Sequence, residues 1–219
     1  VDDVLRAARA RKVNIIAHSM GGLDSRYLIS TLGYGDRIAS LTTISTPHRG
    51  SFSADIGLGL TSENLDAALN AFTELFARLF TSDELARDSD LRASVRDLSE
   101  AQSFIFNATQ LDDPAVLYQS WAGVSSVGRI PGPSDFRDCP AAGGQWLLHD
   151  HIGSRDAMNF VLLPLAAMTA HGTELRSNDG LVTVESARWG QFRGCIPADH
   201  LDEIGATGVG LDPNTGFDA

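Results

Sequence analysis

Residues 13–21 read Val13-Asn14-Ile15-Ile16-Ala17-His18-Ser19-Met20-Gly21. The β-rich apolar half, Val13 with Ile15, Ile16 and Ala17, is the pattern of a short buried strand, and a helix-compatible stretch begins at about Leu23. A strand that passes into a helix through one serine is the layout of a nucleophile elbow, which holds the serine Oγ up into a site. Such a turn crowds its neighbours, so the residues two before and two after the serine must be small. Ala17 and Gly21 meet that demand. The helix N-terminus behind Ser19 adds backbone N–H groups and a positive dipole end, both suited to a developing oxyanion. A Ser-Gly turn after a buried strand also arises by chance, so the surrounding sequence has to decide.

Outward from the elbow, residues 3–11 read as a helix with Leu5 and Ala8 on one side, 12–18 as a strand and 20–32 as a helix. Gly33-Tyr34-Gly35-Asp36 is a turn, and residues 37–45 form the next strand, ending at Thr46-Pro47-His48-Arg49-Gly50. Strand, helix and strand with short connections make a βαβ unit, which implies a parallel sheet. Past Ser51, Leu65, Leu69, Phe72, Phe76 and Leu79 recur at helical spacing, and helical character continues to about residue 106. This 52–106 insertion is either a lid over an apolar site or a helix packed on the sheet, since amphipathicity fits both. Residues 116–123 read as a strand, 127–146 as loop, and 154–169 as helix kinked or broken at Pro164. Ser177-Asn178-Asp179-Gly180 is a turn, and the tail beyond Gly205 carries little pattern. The chain of 219 residues reads as one α/β domain, with no internal repeat or second domain.

Net charge is −11, which argues against nucleic acid or an anionic membrane as partner, because both need basic patches. No apolar run reaches the roughly 20 residues that span a bilayer. Val1 stands where an initiator methionine would, and the first ten residues read as a helix already under way, so a fragment or a processed chain is expected. Cys139 and Cys195 are the two cysteines, both in loop-like sequence. They fit either one disulfide in an oxidising compartment or two free thiols in a reducing one.

A serine nucleophile needs a base within hydrogen-bond reach and an acid to orient that base. His200, late in the chain in Pro197-Ala198-Asp199-His200-Leu201-Asp202, is the best base, and Asp179 in its turn is the best acid. The order Ser19, Asp179, His200 is the triad order of α/β-hydrolases. Among the other histidines, His18 should point away from the Ser19 side chain and His48 follows a strand end where it would line the pocket. His149 and His151 flank Asp150 as a metal pair without a third spaced ligand, and His171 lies in a turn.

Five segments together resemble a family: Ala17 to Tyr27 (AHSMGGLDSRY), Thr46 to Ser51 (TPHRGS), Tyr118 to Gly123 (YQSWAG), Ser177 to Val182 (SNDGLV) and Asp199 to Glu203 (DHLDE). They look like successive landmarks of the triacylglycerol lipases, of the Pseudomonas and Burkholderia type and their fungal relatives. The resemblance implies an α/β-hydrolase fold, with a mostly parallel central sheet flanked by helices and a helical lid over 52–106. It implies a serine carboxylester hydrolase acting on lipid or ester substrates, with Ser19 as nucleophile, Asp179 as acid, His200 as base and the Met20 N–H as one oxyanion donor. An acyl-binding or partner-binding protein without turnover, or an acyltransferase on the same triad, are the alternatives. The resemblance further implies a Cys139–Cys195 disulfide, a secreted protein, transient contact of the lid with lipid and no cofactor for the chemistry. It places Asp202 on a structural calcium, with Asp156 as a second ligand, although position 206 is Ala where the family has a helping glutamine. In the family the other oxyanion donor sits on a His-Gly loop well upstream of the serine. Only 18 residues precede Ser19 here and none forms that motif, so the early strands and half the oxyanion hole are expected to lie outside this sequence, leaving sheet edges exposed.

Overall fold

The computed structural model describes residues 1–59, 96–126, 130, 132–139 and 157–205. Four strands form one sheet in the order β1 (Val13–His18), β2 (Ile38–Ile44), β3 (Leu117–Gly123) and β4 (Gln191–Ile196), every neighbouring pair parallel. Helix α1 (Asp2–Ala8) precedes β1, and α2 (Gly21–Ser30) joins β1 to β2. Helix α3 (Phe52–Gly59) and α4 (Glu100–Thr109) stand at the two ends of the 52–106 insertion. Short helices α5 (Pro133–Asp138), α6 (Leu163–Thr169) and α7 (Val184–Ala187) lie between β3 and β4.

Strand alternation decides which side chains reach the core. Val13, Ile15 and Ala17 of β1 pack against a cluster of Ile29 from α2, Ile38 and Leu41 from β2, and Val116 and Tyr118 at β3. A second cluster gathers at the C-terminal end of the sheet, where Leu23, Leu98, Val124, Leu162, Leu181, Val184 and Leu201 meet. Complete burial of a side chain such as Leu41 or Leu162 stabilises the fold by about 1.5–3 kcal/mol. β1 is an edge of the described sheet, and Ile16, on its other face, is 73% exposed. Parallel sheets are ordinarily covered on both faces, whereas Ile16 on this one is open.

The structure corrects several element boundaries. Pro164 stands in the first turn of α6, where its missing N–H costs nothing, so it begins the helix instead of kinking it. The stretch expected to be loop contains α5, which also begins on a proline, Pro133. Strand β4 has no counterpart in the sequence reading, because Gly194 interrupts its apolar alternation. Of the expected lid, residues 60–95 with Leu65, Leu69, Phe72, Phe76 and Leu79 lie outside the described residues, as do His149, Asp150, His151 and the tail from residue 206. The insertion's ends are joined to each other: Ser51 N–H donates to the Leu98 carbonyl at 2.8 Å, and Glu100 N–H to Asp55 Oδ2 at 3.0 Å.

A disulfide joins Cys139, just past α5, to Cys195 in β4, with Cα atoms 5.8 Å apart. It closes a loop of 56 residues, for which the chain-entropy argument gives a stabilisation of about 4 kcal/mol. Reduction, or the Cys139→Ser/Cys195→Ser pair, is therefore expected to lower the melting temperature by roughly 8–16 °C. Calorimetry with and without a reductant checks this.

Candidate active site

The chain turns from β1 into α2 at Ser19, whose φ of 52° lies in the left-handed region that non-glycine residues rarely occupy. The strain is held from both sides. Ser19 N–H donates to the Ile44 carbonyl at 3.0 Å, and the Ser19 carbonyl accepts from Thr46 Oγ1 at 2.7 Å. The tightest steric demand falls one position later than expected. A Cβ on Gly21 would lie 4.0 Å from that of Ala17, an ordinary contact, whereas one on Gly22 would collide with Thr46 and come within 2.9 Å of the Thr43 methyl.

The structure brings the three residues named from sequence to one point. Ser19 Oγ lies 2.9 Å from His200 Nε2, and His200 Nδ1 lies 2.7 Å from Asp179 Oδ2. Asp179 and His200 are fully buried, and Ser19 is 5% exposed. The other Asp179 oxygen accepts from the N–H groups of Leu181 and Val182 at 2.9 and 2.7 Å. His200 N–H in turn donates to the Asp179 carbonyl at 2.9 Å. Burial opposes charge on Asp179, but His200 and the two backbone N–H groups win and hold its carboxyl below the ordinary range. Met20 follows Ser19 as the residue capping α2, so its N–H sits at the positive end of the helix.

Sequence reasoning assigned no role to Glu203, which is buried beneath this relay. Its Oε1 accepts from Ser45 Oγ at 2.6 Å, and its Oε2 lies 3.2 Å from His18 Nε2. Gly123 must be glycine here, because a Cβ would lie 2.8 Å from the Glu203 Cδ. The His18 ring sits beside His200, with centroids 4.4 Å apart. Burial first, and the nearby Asp179 next, push the Glu203 carboxyl well above the usual range. Burial, then His200, lowers His18 to about 3. The only signal in the sequence is an acid three residues after the base histidine, indistinguishable there from a surface charge.

His48 is fully buried and does not line the pocket. Its Nε2 lies 3.0 Å from Thr43 Oγ1, its Nδ1 lies 3.4 Å from Arg26, and its ring stacks on Trp189. His171 stacks on Phe52 and stands 3.3 Å from Glu100, so it belongs to the root of the insertion. Asp202 is buried, with its N–H on Asp199 Oδ1, and Asp156 lies outside the described residues. The group of close-set ligand atoms among the described residues is His18, His200 and Glu203, which excludes Asp202. Two imidazoles and one carboxylate do not suit calcium, which takes six to eight oxygens. Calcium on Asp202 therefore remains an expectation that only the placement of its second ligand, outside the described residues, would test.

Three groups, His48, His18 and Glu203, bear on the stability of the fold between pH 5 and 6. Burial, with Arg26 next in effect, holds His48 well below the histidine range, and His18 is lowered likewise. The unfolded chain protonates both histidines near pH 6.5 and the folded chain does not, so stability falls below about pH 6.5 by about 1.4 kcal/mol per pH unit for each. Glu203 acts in the opposite sense: the folded chain keeps a proton that the unfolded chain releases above about pH 4.5. Over pH 5–6 the two histidines outweigh the one carboxyl, so the melting temperature should rise with pH there and peak near neutrality. His48→Gln is expected to flatten that rise, as melting curves of both proteins across pH 5–6 would show.

The α/β-hydrolase fold family matches residues 1–129. The chain belongs to that family. It is 34% identical over 198 residues to triacylglycerol lipase 2 of Saccharomyces cerevisiae, covering 90% of this chain and 47% of the yeast protein. It is 31% identical over 242 residues to a triacylglycerol lipase of Pseudarthrobacter phenanthrenivorans, covering 93% of this chain and 69% of that protein. Fungal and bacterial proteins named triacylglycerol lipase are thus both among its relatives. The chain spans about half the length of the yeast relative. In fold it resembles the mature lipase of Bacillus licheniformis, with a TM-score of 0.57 at 19% identity, covering 91% of this chain and 62% of that one. The Staphylococcus hyicus lipase gives 0.53 at 19% identity, covering 94% and 66%.

Proposed function

We propose that this chain is a serine carboxylester hydrolase acting on acylglycerol esters. The observation that carries the reading is the buried relay in which Ser19 Oγ meets His200 Nε2 at 2.9 Å and His200 Nδ1 meets Asp179 Oδ2 at 2.7 Å. Ser19 Oγ attacks the ester carbonyl carbon while its proton passes to His200 Nε2, and the carbonyl electron pair moves onto oxygen. The Met20 N–H faces that oxyanion. Collapse of the adduct expels the alcohol, which takes the proton from His200 and leaves an acyl group on Ser19. Water repeats the sequence and releases the carboxylic acid. Asp179 keeps the proton on His200 Nδ1, so that Nε2 is free to accept, and stabilises the imidazolium that forms.

The named activity of the fungal and bacterial relatives favours lipid esters over other esters. The 52–106 insertion, in this reading, is the lid that touches the lipid surface. The Cys139–Cys195 disulfide suits an oxidising compartment, and a secreted protein is the simplest assignment. A fluorophosphonate probe tests the reading by mass: one adduct on the parent chain and none on Ser19→Ala supports an activated nucleophile. A parent chain that takes up no adduct would leave the acyl-binding alternative.

A further inference from the structure

The relay depends on two loops that approach from different parts of the chain, the Asp179 turn and the segment carrying His200. Asp199, immediately before His200, is fully buried, and its carboxylate accepts from backbone groups on two sides. Its Oδ1 accepts from Leu201 N–H at 2.9 Å and Asp202 N–H at 3.1 Å, capping the turn that follows the histidine. Its Oδ2 reaches out of that loop and accepts from Asn159 N–H at 2.7 Å.

Asn159 opens a short brace. The Leu162 N–H donates to its carbonyl at 2.9 Å, and Val161 N–H to its Oδ1 at 3.1 Å. Leu162 is fully buried and lies on Gly180, where a Cβ would come within 2.9 Å of the Leu162 Cβ. Gly180 has a φ of 106°, so that turn is doubly fixed, by its backbone and by the side chain above it. One carboxylate therefore links the His200 loop to residues 159–162, and those residues press on the turn that presents Asp179.

We propose that Asp199 is a positioning residue that locks the His200 loop and the Asp179 turn into one unit, through the Asn159–Leu162 brace. A carboxylate suits the place because it offers lone pairs in two directions at once to these three N–H donors. An amide offers one carbonyl oxygen and would aim its NH2 group at the Asn159 N–H. The proposal rests on the hydrolase reading for its kinetic consequence and on geometry alone for the rest.

Two measurements test it without depending on each other. In the parent protein, native-state hydrogen exchange should show the Asn159 amide, bonded to Asp199, and the His200 amide, bonded to the Asp179 carbonyl, opening together with the same free energy. Independent opening of the two amides overturns the proposal, whatever the protein hydrolyses. The second measurement compares Asp199→Asn with the parent, after confirming a folded spectrum. The expected result is a kcat on a short soluble ester lowered by roughly 10–100-fold with KM within about twofold, since misplacement near 1 Å costs about that much. The downfield proton resonance of His200 Nδ1–H should weaken in parallel, and Asp199→Glu should not restore it, because the longer side chain cannot span both partners. A folded Asp199→Asn with an unchanged resonance and kcat sinks the idea. Loss of activity in Ser19→Ala and persistence of the joint opening separate the fate of this inference from that of the hydrolase reading.

Discussion

Ser19→Ala is expected to lower kcat for ester hydrolysis by about 10⁵–10⁶-fold, with substrate affinity nearly unchanged. The magnitude follows from how a nucleophile and its base act as a unit: removing one member of such a relay costs about as much as removing all of it. The alanine keeps the left-handed backbone at position 19, because the bonds from Thr46 Oγ1 and to the Ile44 carbonyl involve only main-chain atoms of the residue. The elbow should therefore survive and the melting temperature stay within a degree or two. What remains is the contribution of binding and of the Met20 N–H, typically about 10³–10⁴-fold over water. Asp179→Asn makes the instructive contrast. It leaves the space filled but favours the wrong tautomer of His200, for an expected loss near 10⁴-fold. Steady-state kinetics on one soluble ester, with all proteins checked for folding, measures both. A Ser19→Ala protein that hydrolyses ester at the parent rate would dispose of the hydrolase reading outright.

An effect on stability as large as loss of the disulfide is expected at a residue with no part in the chemistry. Arg26→Ala should destabilise the fold by about 4 kcal/mol, the usual scale for breaking a buried charged network from one side. Arg26 is 2% exposed. Its guanidinium lies 3.7 Å from the Trp189 ring centroid and donates to Asn107 Oδ1 at 2.7 Å and to the Gln110 carbonyl at 3.0 Å. It also pairs with Asp112 at 3.6 Å, while Trp189 Nε1 donates to that same carboxylate at 2.9 Å. Burial pulls Arg26 down to about 10, against the pull of Asp112, so it stays charged at neutral pH. Truncation strands these partners, opens a cavity under Trp189 and unties α4 from α2. For a chain of this size the melting temperature should drop by roughly 8–16 °C. Arg26→Lys should recover only part of this, since an ammonium keeps the charge but cannot fork or stack. Full recovery by lysine would mean that charge alone matters and that the planar contacts count for little.

Much of this was visible in the sequence, for identifiable reasons. The elbow is legible because its constraints are local: a β-branched run, a serine and small neighbours within nine residues. Asp179 and His200 were legible because both stand in turn-forming sequence and follow Ser19 in a recognisable order. Strand β4 was not, because Gly194 and Cys195 break the apolar alternation that marks a strand, and its place is fixed by pairing with β3. Arg26 held a weak signal, falling three residues after Leu23 and three before Ile29 on the buried side of α2. Arginine at such a position reads as a surface charge until its partners, more than eighty residues away in sequence, are seen.

The sequence by itself determined that the chain is an α/β-hydrolase, that a serine sits on a strand-to-helix turn, and which acid and histidine accompany it. The serine rests on short-range sterics, the acid and histidine on turn chemistry and their order after it, and the fold on the five family-like segments along the chain. The tertiary structure alone decided that Ser19 Oγ and His200 Nε2, 181 residues apart, stand 2.9 Å from each other. It also decided that Glu203 lies buried and His18 half-buried beside the relay, and that His48 belongs to the Arg26 network. Burial and pairing between distant segments set both the charge state and the aim of a side chain, and neither can be read from its neighbours in the chain.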